Sequence, residues 1–157
     1  RVGHHVWDGS AWVNKGALVE EQSTNLQADS VNPARGQTVG VTYAASLTTD
    51  PADGTNSYRI LSDGTQSTAF LRFNQSVTYV SGQTYCFSIY VKPVAGQRYV
   101  RVGHGFQIFP DAGRFAAFDL VAGTVTDEQI GVTGYIEKAG NGFWRLSVVA
   151  TADASGM

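Results

Sequence analysis

TYCFSIYVKPVAGQRYVRVGHGF, residues 84–106, is the stretch whose reading decides the fold. In its first half, Tyr85, Phe87, Ile89 and Val91 alternate with Thr84, Cys86, Ser88, Tyr90 and Lys92. Successive side chains of a strand point to opposite faces, so one face is apolar and the other polar, the pattern of a half-buried strand. The second half, from Tyr99 to Val102, repeats it. Placing a turn at Ala95–Gly96 sets Ile89 opposite Val102 and Val91 opposite Val100, with Tyr90 opposite Arg101 and Lys92 opposite Tyr99 on the other face. A slip of one residue sets apolar against polar throughout. The expectation is a hairpin in this register. His104 then has inward parity opposite Phe87, and its flanking glycines suggest a bulge; a satisfied interior histidine is the reading preferred over a site role.

Outward along the chain the same period recurs. In AFLRFNQSVTY, Ala69, Leu71, Phe73, Val77 and Tyr79 share one parity. RFAAFDL reads as a strand and AGT as the turn after it. YIEKAGNGFWRLSVVAT reads as a hairpin with Ala139 to Gly142 as its loop. Trp144, Leu146 and Val148 point inward there, while Phe143 and Arg145 carry the outward parity. Towards the N-terminus, HHVWDGSAWVNKG reads as a hairpin over an Asp8–Gly9 turn. TVGVTYAASL and SYRIL are strand-like, and TTDPADGTN and SDGTQ are turns. No stretch keeps a helical period over ten residues. RVGH occurs at Arg1 and at Arg101, in surroundings too different to be a repeat. Nine or ten short strands without helices predict an all-β fold, an antiparallel β-sandwich of the jelly-roll type. Residues 1–15 are expected to form a hairpin joining a preceding region, and residues 16–157 one jelly-roll domain.

Composition bounds the function. The 157 residues suffice for one domain with a real core. Charged residues make up 15%, well below the usual ~25%. The formal net charge is −2 and no basic block is present, which argues against a nucleic-acid partner. A single cysteine, Cys86, forbids an intrachain disulfide; its strand position reads as a small side chain rather than a reactive thiol. No run approaches the ~18 apolar residues of a membrane span, and no signal peptide is visible. The opening at Arg1 and the ending DASGM read as a piece of something longer.

Little in the sequence points to catalysis. Glu20 and Glu21 are adjacent carboxylates, but neighbours in a strand face opposite ways and on a helix diverge by about 100°. A glycosidase pair needs carboxyls roughly 5–10 Å apart across the substrate, and nothing selects a distant partner such as Asp119 or Glu137. His4 and His5 lack metal-ligand spacing, and there is no second cysteine. DPADGTN offers Asp50, Asp53 and Asn56 to a calcium ion but lacks the full loop of spaced oxygens; an Asp-Gly turn is the plainer reading, and metal binding stays open. No nucleophile elbow or phosphate loop is present. No catalytic residue and no cofactor is therefore expected. Surface recognition remains. Sugars are bound by aromatic planes with polar groups beside them. The outward face of the 84–106 hairpin gathers Tyr90, Lys92, Tyr99 and Arg101, with Arg145 of the last strand sharing its parity. These five are the candidate ligand residues. The alternatives are an ordinary solvated face or one covered by another subunit. The Trp7–Trp12 hairpin is a second candidate surface.

Three stretches carry a family resemblance. GALVEEQSTNLQADS resembles the G-L-L-I/V-E-E-x-x-T-N-L segment of bacteriophage tail-fibre and tail-spike proteins. SGQTYCFSIYVKPVAGQRYVRV resembles their G-x-x-Y-x-F-S-x-Y-x-K strand and its return. FAAFDLVAGTVTDEQIGVTGYIEKAGNGFWRLSVVAT resembles their F-D-L-x-x-G-T-V … I-E-x-x-G-N-G-W-Y-R ending, with Phe143–Trp144 in place of Trp-Tyr. Together these cover most of residues 16 to 151, in order. The resemblance implies a jelly roll similar to carbohydrate-binding modules, carried on a virion tail fibre that is a homotrimer and adsorbs to bacterial surface polysaccharide. Charge and hydropathy, read separately, lead to the expectation of no nucleic-acid partner and no membrane insertion. It implies no ligand residues. The expected function is non-catalytic recognition of host capsule or lipopolysaccharide. The alternatives are a structural trimerisation or cap domain and a polysaccharide depolymerase.

Overall fold

The structure, a computed structural model, describes residues 4–7, 12–16, 36–46, 48–51, 54–55, 57–65, 70–73, 77–94, 97–105, 109 and 114–156. Twelve strands run through them: β1 (His4–Trp7), β2 (Trp12–Gly16), β3 (Gly36–Val39), β4 (Val41–Ser46), β5 (Ser57–Ser62), β6 (Phe70–Phe73), β7 (Thr84–Val91), β8 (Tyr99–Gly103), β9 (Phe115–Asp119), β10 (Thr124–Glu128), β11 (Val132–Lys138) and β12 (Trp144–Thr151). Every pairing among them is antiparallel. Two three-stranded sheets, ordered β11-β12-β7 and β10-β9-β8, form the sandwich; β1-β2, β3-β6 and β4-β5 are two-stranded. The all-β sandwich is as expected. These pairings do not by themselves trace a jelly-roll winding.

Alternation builds the core. β7 is half-buried at Tyr85, Phe87, Ile89 and Val91 and exposed at the residues between. Val102, Ala116 and Phe118 of one sheet meet Leu146, Val148 and Ala150 of the other, with Val100, Val125, Ile136 and Trp144 packed around them. Phe118, Leu146 and Val148 are wholly buried, each worth about 1.5–3 kcal/mol relative to exposure. The sheets come close at Gly134, where a Cβ would stand 2.8 Å from the Cβ of Ala116. Phe109, 0% exposed, closes one end of the core against Tyr79, Tyr85 and His104.

The partners of β7 and β8 differ from those of the expected hairpin. Their facial alternation is as expected, with Val100 and Val102 inward and Tyr99 and Arg101 outward. They do not pair with each other. β7 pairs with β12, Ile89 opposite Leu146 and Val91 opposite Trp144. β8 pairs with β9, Val100 opposite Phe118 and Val102 opposite Ala116. The connection from Lys92 to Arg98 carries the chain from one sheet to the other. Gln97 N donates to Val94 O at 2.9 Å across its turn; Ala95 and Gly96 lie outside the described residues. Pro93 has no N–H to give to a ladder. Two strands that each have one apolar face can also satisfy it from different sheets that share one core, and here both do.

The hairpin of β11 and β12 is as read, with Lys138 opposite Trp144 and Ile136 opposite Leu146. The β1-β2 pairing, Val6 opposite Val13 and Trp7 opposite Trp12, is also as read; its Asp8–Gly9 turn and the Glu20–Glu21 pair lie outside the described residues. Phe143 needs correction. It precedes β12 at the end of a 3-10 turn (Gly140–Gly142), where alternation has not begun, and it is buried rather than outward.

Candidate functional site

Because β7 and β8 lie in different sheets, the five candidate ligand residues do not form one cluster. Tyr90 and Arg145 are cross-strand neighbours on the outer face of β11-β12-β7, with Glu137 completing the row. The Arg145–Glu137 ion pair is long, 3.9 Å, and exposed, so it adds little to stability. The next row holds Tyr135, Ser147 and Ser88, with Tyr90 51% and Tyr135 52% exposed. Cys86 is a free thiol on this exposed face, opposite Val149. Lys92 follows β7, its Nζ 5.6 Å from the centroid of the Phe143 ring. Tyr99 and Arg101 belong to the outer face of the opposite sheet.

That opposite face carries an open depression. On it, Tyr99 and Asp119 are partners, as are Arg101 and Ala117, and Gly103 and Phe115. From the other side Thr124 faces Asp119, and Asp127 faces Ala117. The register shifts between Val125 and Asp127, so Thr126 and Asp127 are both set against Ala117, as in a β-bulge. The alanine methyl leaves the middle of the sheet low, and the residues on either side stand above it. The result is an open depression of about 470 Å³ lined by Tyr99, Val100, Arg101, Ala117, Thr126 and Asp127.

One wall is held from behind. Arg98 Nε donates to Asp119 Oδ2 at 2.8 Å, and its Nη2 lies 2.7 Å from the same oxygen. The other oxygen, Oδ1, accepts from Val121 N at 2.9 Å and Ala122 N at 3.0 Å. The Arg98 hydrogen bond, followed by the turn amides, lowers the Asp119 pKa from 3.8 to about 2. Pinned this way, the Arg98 guanidinium lies 5.2 Å from the Tyr99 ring centroid, a cation–π distance. Tyr99 is itself 62% exposed. The Arg101 guanidinium sits 4.7 Å from the Phe115 ring centroid. Among the described residues Arg101 has no carboxylate partner. The arrangement presents an aromatic plane, a hydrogen-bond donor, an acceptor and a hydroxyl around a small apolar floor.

His104 and Asp50 have structural partners. His104 is an interior histidine with a partner, as read: Nε2 lies 3.1 Å from Val148 O, its ring stacks on Phe109 at 4.5 Å, and Phe87 meets it edge-on at 6.4 Å. Burial lowers its pKa against the opposing pull of the Val148 carbonyl. Asp50 closes a turn, its N donating to Gly54 O and its Oδ1 accepting from Gly54 N, both at 2.9 Å; Asp53 and Asn56 lie outside the described residues. Among the described residues no three His, Cys, Asp or Glu side chains gather as a metal site.

Sequence reasoning missed Ala117, Thr126 and Asp127. A signal existed: in TVTDE the alternation Thr124–Val125–Thr126 breaks at Asp127, which marks a bulge. The pairing that makes it a site, across Ala117 to Arg101, joins three strands and needed the topology. The chain matches no protein-family model and no curated protein.

Proposed function

We propose that this chain is a non-catalytic receptor-binding domain of a bacteriophage tail fibre, with a jelly-roll fold, that recognises bacterial surface polysaccharide during adsorption. The ordered tail-fibre-like motifs between residues 16 and 151 support the setting. The observation that carries recognition is the depression bounded by Tyr99, Arg101, Thr126 and Asp127, because an exposed ring with donors and acceptors beside it is what a pyranose requires. The test is binding of the purified protein to arrayed capsule and lipopolysaccharide glycans. Binding to a defined glycan, weakened at least about tenfold, or about 1.4 kcal/mol, by Tyr99→Ala, is expected. A folded protein that binds no bacterial surface glycan contradicts the reading.

A second reading, a structural subunit-contact domain, has its own observation. On one face of the β4-β5 ribbon Tyr43 opposes Ile60 and Ala45 opposes Tyr58. Tyr43, Tyr58 and Ile60 are all exposed, and the two tyrosine rings meet edge-on at 6.4 Å. A two-stranded ribbon with an apolar face is marginal alone. Light scattering tests this reading: a trimer that Tyr58→Lys with Ile60→Lys dissociates supports it, and a monomer at working concentration contradicts it.

A further inference from the structure

The chemistry of the depression narrows what it can take. Arg101, Ala117 and Asp127 stand in one cross-strand row on three adjacent strands. Two strand spacings of about 4.8 Å put the backbones of Arg101 and Asp127 about 10 Å apart. The two charges do not close on each other: the Arg101 guanidinium is drawn onto the Phe115 ring, and among the described residues no ion pair joins it to Asp127. The floor between them is a single methyl. A guanidinium can only donate and a carboxylate can only accept. A ligand spanning the row must therefore accept at one side and donate at the other. A uronate or phosphate suits Arg101 and is repelled by Asp127; an ammonium group suits Asp127 and is repelled by Arg101. A hydroxyl both donates and accepts, so neighbouring sugar hydroxyls satisfy both without a charge. At one end Tyr99 supplies the exposed ring for the apolar face of such a sugar, already stiffened by Arg98 and Asp119.

We propose that this row is a subsite for one uncharged hexopyranose ring, seated over Ala117 with hydroxyls bridging Arg101 and Asp127, and that the opposed charges select against acidic and amino sugars. The inference rests on the reading of the domain as a glycan binder and adds the sugar class and the selecting residues. Thr126 offers a further hydroxyl at the rim. Asp127 is the specificity-determining residue, since its removal relieves the penalty on acidic sugars while leaving the Arg101 donor in place.

The experiment titrates the full chain with methyl hexopyranosides, hexuronic acids and hexosamines, following backbone amide shifts by NMR. Shifts centred on β8, β9 and β10 are expected, with the neutral sugars binding most tightly. Ala117→Leu fills the floor and should weaken neutral sugars at least about tenfold, with an unchanged circular dichroism spectrum. Asp127→Asn should shift the ratio of uronate to neutral affinity towards uronate by about tenfold, a change that a merely structural role would not produce. If the wild type prefers uronates or hexosamines, or if Ala117→Leu and Asp127→Asn leave both affinity and preference intact while neutral sugars still bind, the subsite is wrong and glycan recognition lies elsewhere. If neither these sugars nor arrayed glycans bind the folded protein, the glycan reading itself fails and the subsite with it.

Discussion

At Asp119 one carboxylate joins three parts of the molecule: it ends β9, holds Arg98 before β8, and caps the turn at Val121 and Ala122. Its pKa is depressed to about 2 from 3.8, so its stabilising effect is complete above the unfolded value and disappears as pH falls through the folded one. Asp119→Asn is expected to melt below the wild type at pH 7, with the gap narrowing from pH 4 and closing near pH 2 in scanning calorimetry. His104 has the opposite chemistry and the same direction. Burial lowers its pKa, so the unfolded chain takes up the proton first, and stability is complete above its ordinary value of 6.5 and declines as pH falls below it. Urea midpoints should drop between pH 7 and 5 in the wild type and drop less in His104→Gln, whose amide can still donate to Val148 O. The inward parity of His104 was legible from residues 84–106 because alternation needs no partner. The hold of Asp119 on Arg98 was not, since it depends on β8 pairing with β9.

Among the elements, the turn from β9 to β10 shows how a local rule and a distant contact can demand the same residue. Gly123 has φ +68, and a Cβ there would meet Trp144 Cη2 at 2.5 Å, while Trp144 Nε1 donates to Leu120 O at 2.9 Å. Gly123→Ala should destabilise by about 1–2 kcal/mol from the left-handed backbone alone, and by more once Trp144 is displaced, read as a lower urea midpoint. Gly105→Ala, whose added Cβ meets nothing within 4 Å, should stay within about 0.5 kcal/mol of the wild type. The β11-β12 hairpin was legible because its short loop joins strands that pair with each other. The β7-β8 hairpin read from the same kind of pattern is absent, since matching parity serves strands that pair and strands that share a core from different sheets equally well. Pro93 and the length of the 92–98 connection were the marks against it.

For the whole molecule, stability rests on the layer between the two three-stranded sheets. Leu146 and Val148 lie on the central strand β12, wholly buried against residues of the other sheet. Leu146→Ala should cost about 2–5 kcal/mol, the lost transfer energy plus an unfilled cavity, and lower both the melting temperature and the urea midpoint. Val121→Ala, at an exposed residue, should be nearly silent in the same measurements. The sequence by itself determined the all-β class, the inward and outward residues of β7, β8 and β12, and the presence of exposed tyrosines and arginines. These follow from a two-residue period and from turn chemistry, both local. Only the tertiary structure decided that Tyr90 and Arg145 stand on one outer face and Tyr99 and Arg101 on the other, and that Asp127 faces Arg101 across Ala117. Strand partnership depends on which edge of each strand is already taken, and no alternation of residues along a single strand records that.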